Sequence, residues 1–141
     1  MPGKKRFQIA VEDRVIWVKA TGTWTSLTVA DYVTELREHA LKLQPDPWAI
    51  VLDARDWQAC PADVFAKLQD NTDWCLQRQL QLGVVLLPEQ PLLRWQFAKA
   101  TEGERPEYYE KQVVADEASA RKVLLQAGYL DVEQDHPHQT T

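Results

Sequence analysis

The sequence predicts an α/β fold: a mostly parallel sheet flanked by helices, with an antiparallel strand at its N-terminal edge. Three observations predict it. Short apolar or alternating runs recur between segments of helical period, in the order β-β-α-β-α-β-α-β-α. Strands separated by helices need crossover connections, which are nearly always right-handed and leave the strands parallel. The first two runs are separated only by Glu12-Asp13, so they pair as a hairpin.

In "RFQIAVE", Phe7, Ile9 and Val11 alternate. In "RVIWVKATG", Val15 and Trp17 line one face while Ile16 and Val18 line the other. Apolar residues on both faces mark a more central strand, which Gly22 closes. Thr28 followed by Asp31 is a variant capping box. Val29, Tyr32, Val33, Leu36, Ala40 and Leu43 then recur at helical spacing until Pro45 and Pro47 end the run. "WAIVLDA" is a short strand, apolar as a strand covered on both faces should be.

The second long helix is expected over "CPADVFAKLQDNTDWCLQRQLQL", with Pro61 in its first turn. "GVVLLP" is a buried strand stopped by Pro88, and "PLLRWQFAKA" a short helix entered through Pro91. After the acidic turn "TEGERPE", the last strand is "YYEKQVVAD". The last helix, "DEASARKVLLQAG", starts at an Asp116 cap and stops at Gly128. Residues 1–130 are expected to form one domain, and 131–141 a polar, mobile tail.

The totals narrow the function classes. At 141 residues, 45% hydrophobic and 26% charged, the chain is long enough for an ordinary core. Its formal net charge is -5, and Lys4-Lys5-Arg6 is its one basic cluster, so nucleic acid is not expected as a partner. No apolar stretch has the length of a signal peptide or a membrane span, which points to a cytoplasmic protein. Cys60 and Cys75 fall on one expected helix about four turns apart, too far to bridge.

No motif for a metal, a nucleotide phosphate or a serine nucleophile occurs: there is no CxxC, HExxH, GxGxxG, GxxxxGK[ST] or GxSxG. No cofactor is expected, and His136 and His138 flank a proline in the tail with no partner ligand. Glu102, Glu104 and Glu107 form either a solvated loop or a docking patch for a basic partner.

In open α/β sheets, ligands bind outside the carboxyl ends of the strands. Here those ends carry "GTWTSLT", "RDWQACP", "PEQP" and the Asp116 turn. Trp24 and Trp57 sit in the two longer loops, either as lids over the core or as platforms that stack on a flat or apolar ligand. Asp53 caps or orients its loop, and Arg55 offers a fork for a carboxylate or phosphate. Cys60, just before Pro61, is a candidate helix N-cap whose thiolate the helix dipole would favour.

Taken in order, "ATGTWT", "DYVTELREHA", "PWAIVLDARDW" and "VVADEASARKVLLQAGY" resemble the SpoIIAA-like branch of the STAS superfamily, over about residues 6–130. In the anti-sigma-factor antagonists of that superfamily the loop after the third strand resembles D-S-S-G, with a serine that a kinase phosphorylates. "RDWQACPAD" has no serine or threonine, so no such switch is expected. The resemblance implies a non-enzymatic module that binds a protein partner or a small apolar ligand. The expected rim is Thr23, Trp24, Thr25, Asp53, Arg55, Trp57 and Cys60. Two alternatives remain: a thiol-based redox sensor or enzyme using Cys60, and a homodimer through Leu92, Leu93, Trp95 and Phe97.

Overall fold

The computed structural model describes residues 6–59, 61–100 and 106–131. Strands β1 (Phe7–Glu12) and β2 (Val15–Thr23) form the expected antiparallel hairpin, in register from Phe7↔Ala20 to Glu12↔Val15. Asp13 makes the turn with φ 53°, a left-handed conformation that a short polar side chain tolerates. Strands β3 (Trp48–Ala59), β4 (Leu80–Leu86) and β5 (Glu110–Val113) follow in parallel, giving the order β1-β2-β3-β4-β5.

That sequential order has a consequence for the helices. Crossovers of one hand between successive neighbours must all pass over the same face. Helices α1 (Ser26–Leu43), α2 (Ala62–Leu76) and α3 (Pro91–Ala100) accordingly share a core with Ile16, Val18, Ile50 and Val85. Helix α4 (Glu117–Ala127) follows the last strand and covers the opposite face, packing Ala120 and Leu124 on Val15, Val51 and Val84. Both faces of β3 are therefore covered, as its apolar start predicts.

The helix boundaries follow local chemistry. α1 starts three residues earlier than expected, because Thr25 and not Thr28 is its cap: the Thr25 hydroxyl accepts the Thr28 amide at 3.3 Å. α2 begins after Pro61 and ends at Leu76, and Gln79 (φ 75°) turns the chain out of the helix. Leu80 and Leu82, expected on that helix, instead pair with Trp48 and Ala49 of β3. α4 has the expected ends: Asp116 accepts the Ser119 amide at 2.7 Å, and Gly128 closes the helix with φ 87°.

The main departure is β3, which was expected to end in a loop after Ala54. It continues to Ala59, pairing Thr21↔Asp56, Gly22↔Trp57 and Thr23↔Ala59 through two irregularities in register. Gly22, in left-handed backbone at φ 68°, lies inside this bulged stretch and does not close β2.

Gly83 has a packing reason of its own. A Cβ there would collide with the Tyr109 hydroxyl, which lies over β4. Gly83→Ala is expected to destabilise the protein by about 1–3 kcal/mol through overpacking, and Tyr109→Phe in the same chain to restore part of the loss. Denaturant titration of the three proteins checks this; equal midpoints for wild type and Gly83→Ala would refute it.

Candidate functional site at the carboxyl rim

The ladder between β3 and β4 stops at Asp53↔Leu86, and that between β4 and β5 at Val85↔Val113. β3 thus runs six residues past its neighbour (Ala54 to Ala59), while β4 turns away at Pro88. Past Asp53, β3 has no strand partner on its β4 side among the described residues. An open cleft of about 940 Å³ fills the gap. Arg55–Gln58 of β3 form one wall and Val113–Ala115 the other; Leu87–Gln90 lie between them, and Leu93 and Arg94 of α3 close the remaining side.

The β3 wall is anchored from beneath. Ala54 and Trp57 turn into the core, at 0% and 2% exposure, while Arg55, Asp56 and Gln58 are exposed. The Trp57 ring meets Phe97 of α3 edge-on at 5.3 Å between centroids, which fastens α3 over the end of the sheet. Arg94 of that helix reaches the Pro88 carbonyl at 3.4 Å.

Asp53 and Arg55 form a closed pair. Arg55 Nε donates to Asp53 Oδ1 at 3.0 Å and Nη2 to Oδ2 at 2.8 Å, while the Arg55 amide donates to Oδ1 at 3.2 Å. Burial alone would raise the Asp53 carboxyl, but the hydrogen bonds and charge of Arg55, with Lys19 adding to them, hold it below the ordinary carboxylate value. Asp53 in turn raises the Arg55 guanidinium, and Asp56 and Glu117 act in the same direction. The fork expected to await an external anion is thus already engaged by Asp53, and more carboxylates surround it.

Of the residues expected at the rim, Arg55 and Trp57 line the cleft; Thr23, Trp24 and Thr25 are not among its lining residues. Thr23 ends β2 opposite Ala59, and Thr25 caps α1. Trp24 is 4% exposed, packed against Phe7 and Tyr32 at 6.1 and 4.9 Å, with its Nε1 donating to the Arg6 carbonyl at 3.0 Å. The two indoles belong to one core cluster, and neither has a free face for stacking. Both are lids. Cys60 lies outside the described residues, as do Glu102, Glu104 and the tail histidines; the N-cap of α2 is Pro61. Of the apolar residues on α3, Leu92 and Trp95 are exposed while Phe97 is buried.

Among the described residues no group of three or more His, Cys, Asp or Glu is placed to hold a metal, and no helix is long and apolar enough to cross a membrane. Asp56, Gln58, Arg94 and the Val113–Ala115 segment were not singled out in the sequence, although the "PEQP" loop and the Asp116 turn pointed to that end of the sheet.

A five-stranded mixed sheet in sequential order, with three helices on one face and a terminal helix on the other, makes this a SpoIIAA-like fold. Among solved structures the chain is similar to an uncharacterised protein of the DUF3478 family with a SpoIIAA-like fold from Shewanella loihica PV-4. The two share 17% identity over 84% of this chain and 91% of that one, with a TM-score of 0.54. No protein-family model matches the sequence, and no curated protein matches it.

Cys75 can be assigned a state. It is buried at 2% exposure, and burial pushes its thiol up to about 12, against which the charges of Arg37 and Arg78 act. Burial raises the nearby Tyr32 hydroxyl as well. The folded thiol therefore keeps its proton where an unfolded one, ionising near 9.0, has lost it. From that pH up to about 12 the folded state binds more protons, so stability is complete below the window and falls as pH rises through it. Cys75 is expected to contribute a slope approaching 1.4 kcal/mol per pH unit, on the order of the linkage limit. Urea titrations at several alkaline pH values should show a shallower decline for Cys75→Ala; an unchanged slope would refute the assignment.

Proposed function

We propose that this chain is a non-enzymatic binding module whose cleft at the carboxyl rim takes a protein partner or a small ligand, without a serine phospho-switch. The observation that carries the reading is the extension of β3 past β4, which leaves a lined, open cleft where α/β sheets bind ligands. The charged groups support binding over catalysis. Asp53 and Arg55 neutralise each other, and the buried thiol of Cys75 holds its proton at neutral pH. The cytoplasmic location expected from the sequence goes with this reading.

Ala115 is exposed at the mouth of the cleft, so Ala115→Trp fills the site without entering the core. Screening a library of small fragments by amide chemical shift is expected to give hits that move Arg55–Gln58 and Val113–Ala115 in wild type and leave Ala115→Trp unmoved. Stability should stay within about 0.5 kcal/mol, as for other surface changes. Hits that cluster elsewhere, or that survive the substitution, would overturn the proposal.

A homodimer is a second reading, favoured by Leu92 and Trp95, exposed at 64% and 58% on α3. It expects a concentration-dependent dimer in sedimentation that Trp95→Lys abolishes. A constant monomer mass would remove it.

A further inference from the structure

We infer that an interior chamber between α1, α2 and the sheet binds a small uncharged molecule, the size of a short ketone or alcohol, through its acceptor oxygen. The chamber is separate from the cleft and shares no lining residue with it. Leu36 of α1, Leu68 of α2, Ile50 and Leu52 of β3 and Val85 of β4 give it apolar walls. Its volume is about 40 Å³. A water needs roughly 10–15 Å³ of such space, so there is room for about three groups of that size.

The polar groups on the walls select the occupant. Tyr32 and Asn71 line the chamber and are 5% and 4% exposed. Arg37 Nε donates to Asn71 Oδ1 at 3.0 Å, which fixes the amide and leaves its Nδ2 hydrogens turned the other way. Among the described residues, neither that Nδ2 nor the Tyr32 hydroxyl has a hydrogen-bond partner. Thr72, on the same wall, is engaged: its hydroxyl donates to the Leu68 carbonyl at 3.1 Å. Buried donors left unmade are costly. Two of them on an apolar chamber match one acceptor oxygen carried by a short hydrocarbon body.

Cys75 reports how the chamber treats charge. Its thiol is on the same wall, and burial raises it although Arg37 and Arg78 both favour the thiolate. Desolvation thus outweighs two guanidiniums for an anion built into the wall, and a diffusing carboxylate meets the same penalty. A cation would lose its hydration and face those guanidiniums as well.

The test uses the full chain and probes of matched size: acetone, acetate and isobutane. Binding is read from the methyl chemical shifts of Ile50, Leu68 and Val85. Acetone is expected to shift these methyls saturably and to leave the Arg55–Gln58 amides of the cleft unmoved. Acetate, which keeps the oxygen and adds charge, and isobutane, which has no acceptor, should each bind about tenfold more weakly or worse. Tyr32→Phe keeps the ring against Phe7 and Trp24 and removes only the hydroxyl. It should weaken acetone by about tenfold, equivalent to about 1.4 kcal/mol, and spare isobutane. The fold is kept, because the hydroxyl has no partner to lose.

Acetate that binds as well as acetone, or a Tyr32→Phe protein that binds acetone unchanged, would overturn the inference. Chamber methyls that acetone leaves unmoved would overturn it too, with ordered water as the sole occupant. The cleft amides report separately, so these outcomes leave the reading of the rim as it stands.

Discussion

The site depends on a mismatch in length between neighbouring parallel strands. β3 runs for twelve residues and β4 for seven, and their ladder ends at Asp53↔Leu86. β4 is prevented from following by its own sequence. Pro88 cannot donate to a ladder, and Pro91 is preset for the first turn of α3. Beyond Asp53 the sheet is reduced to a two-stranded ribbon of β2 and β3. Such ribbons are at best marginal in water, so the ribbon has to be held from one of its faces.

Trp57 holds it. An indole hides about 150–250 Å² when buried, which at roughly 25 cal/mol per Å² is worth about 4–6 kcal/mol as an upper estimate. The Asp53–Arg55 pair is partly exposed, and such pairs contribute about 1 kcal/mol or less. Burial of the ring is therefore what keeps the extension on the sheet, while the ion pair sets the direction of the exposed side chains. The same burial excludes Trp57 from stacking on a ligand. Its contact with Phe97 links the ribbon to α3, so one side chain fixes two of the cleft's sides.

Much of this was legible from sequence. The order of elements, the antiparallel edge, the placement of β2 inside β1 and both ends of α4 follow from periodicity, Asp116 and Gly128. The misses share a cause: local pattern and tertiary register diverge. Ala54 and Trp57 point inward three residues apart, because the strand is bulged, so the period of two by which a strand is recognised is lost. Leu76 and Leu80 keep a helical spacing across a boundary that Gln79 imposes with left-handed backbone. Trp24 lies among glycine and threonines, as a surface loop residue would, and is buried by Phe7 and Tyr32 from other elements. The four rim loops could be named, but which of them adjoin depends on strand order. Because β3 stands between β2 and β4, the loop carrying Trp24 lies beyond the β3 wall and outside the cleft.

Exposed strand edges ordinarily invite aggregation, and proteins blunt them with charge, shortness or cover. The outer edges here are short: β1 has six residues and β5 four. The inner edge of β3 is protected differently. Its wall carries the exposed charged side chains of Arg55 and Asp56, with Leu93 and Arg94 of α3 lining the cleft beside it. The Arg55 amide on this wall is satisfied by Asp53 Oδ1 at 3.2 Å, and the open cleft gives water access to the backbone beyond it. Closing the gap would have required little more than extending β4 by a few residues. The chain instead places a proline there and uses a buried tryptophan to hold the longer strand in place. That combination maintains the gap: burial of the Trp57 ring stabilises the extension of β3, and the open cleft beside it is where a ligand's own hydrogen bonds would replace those of water.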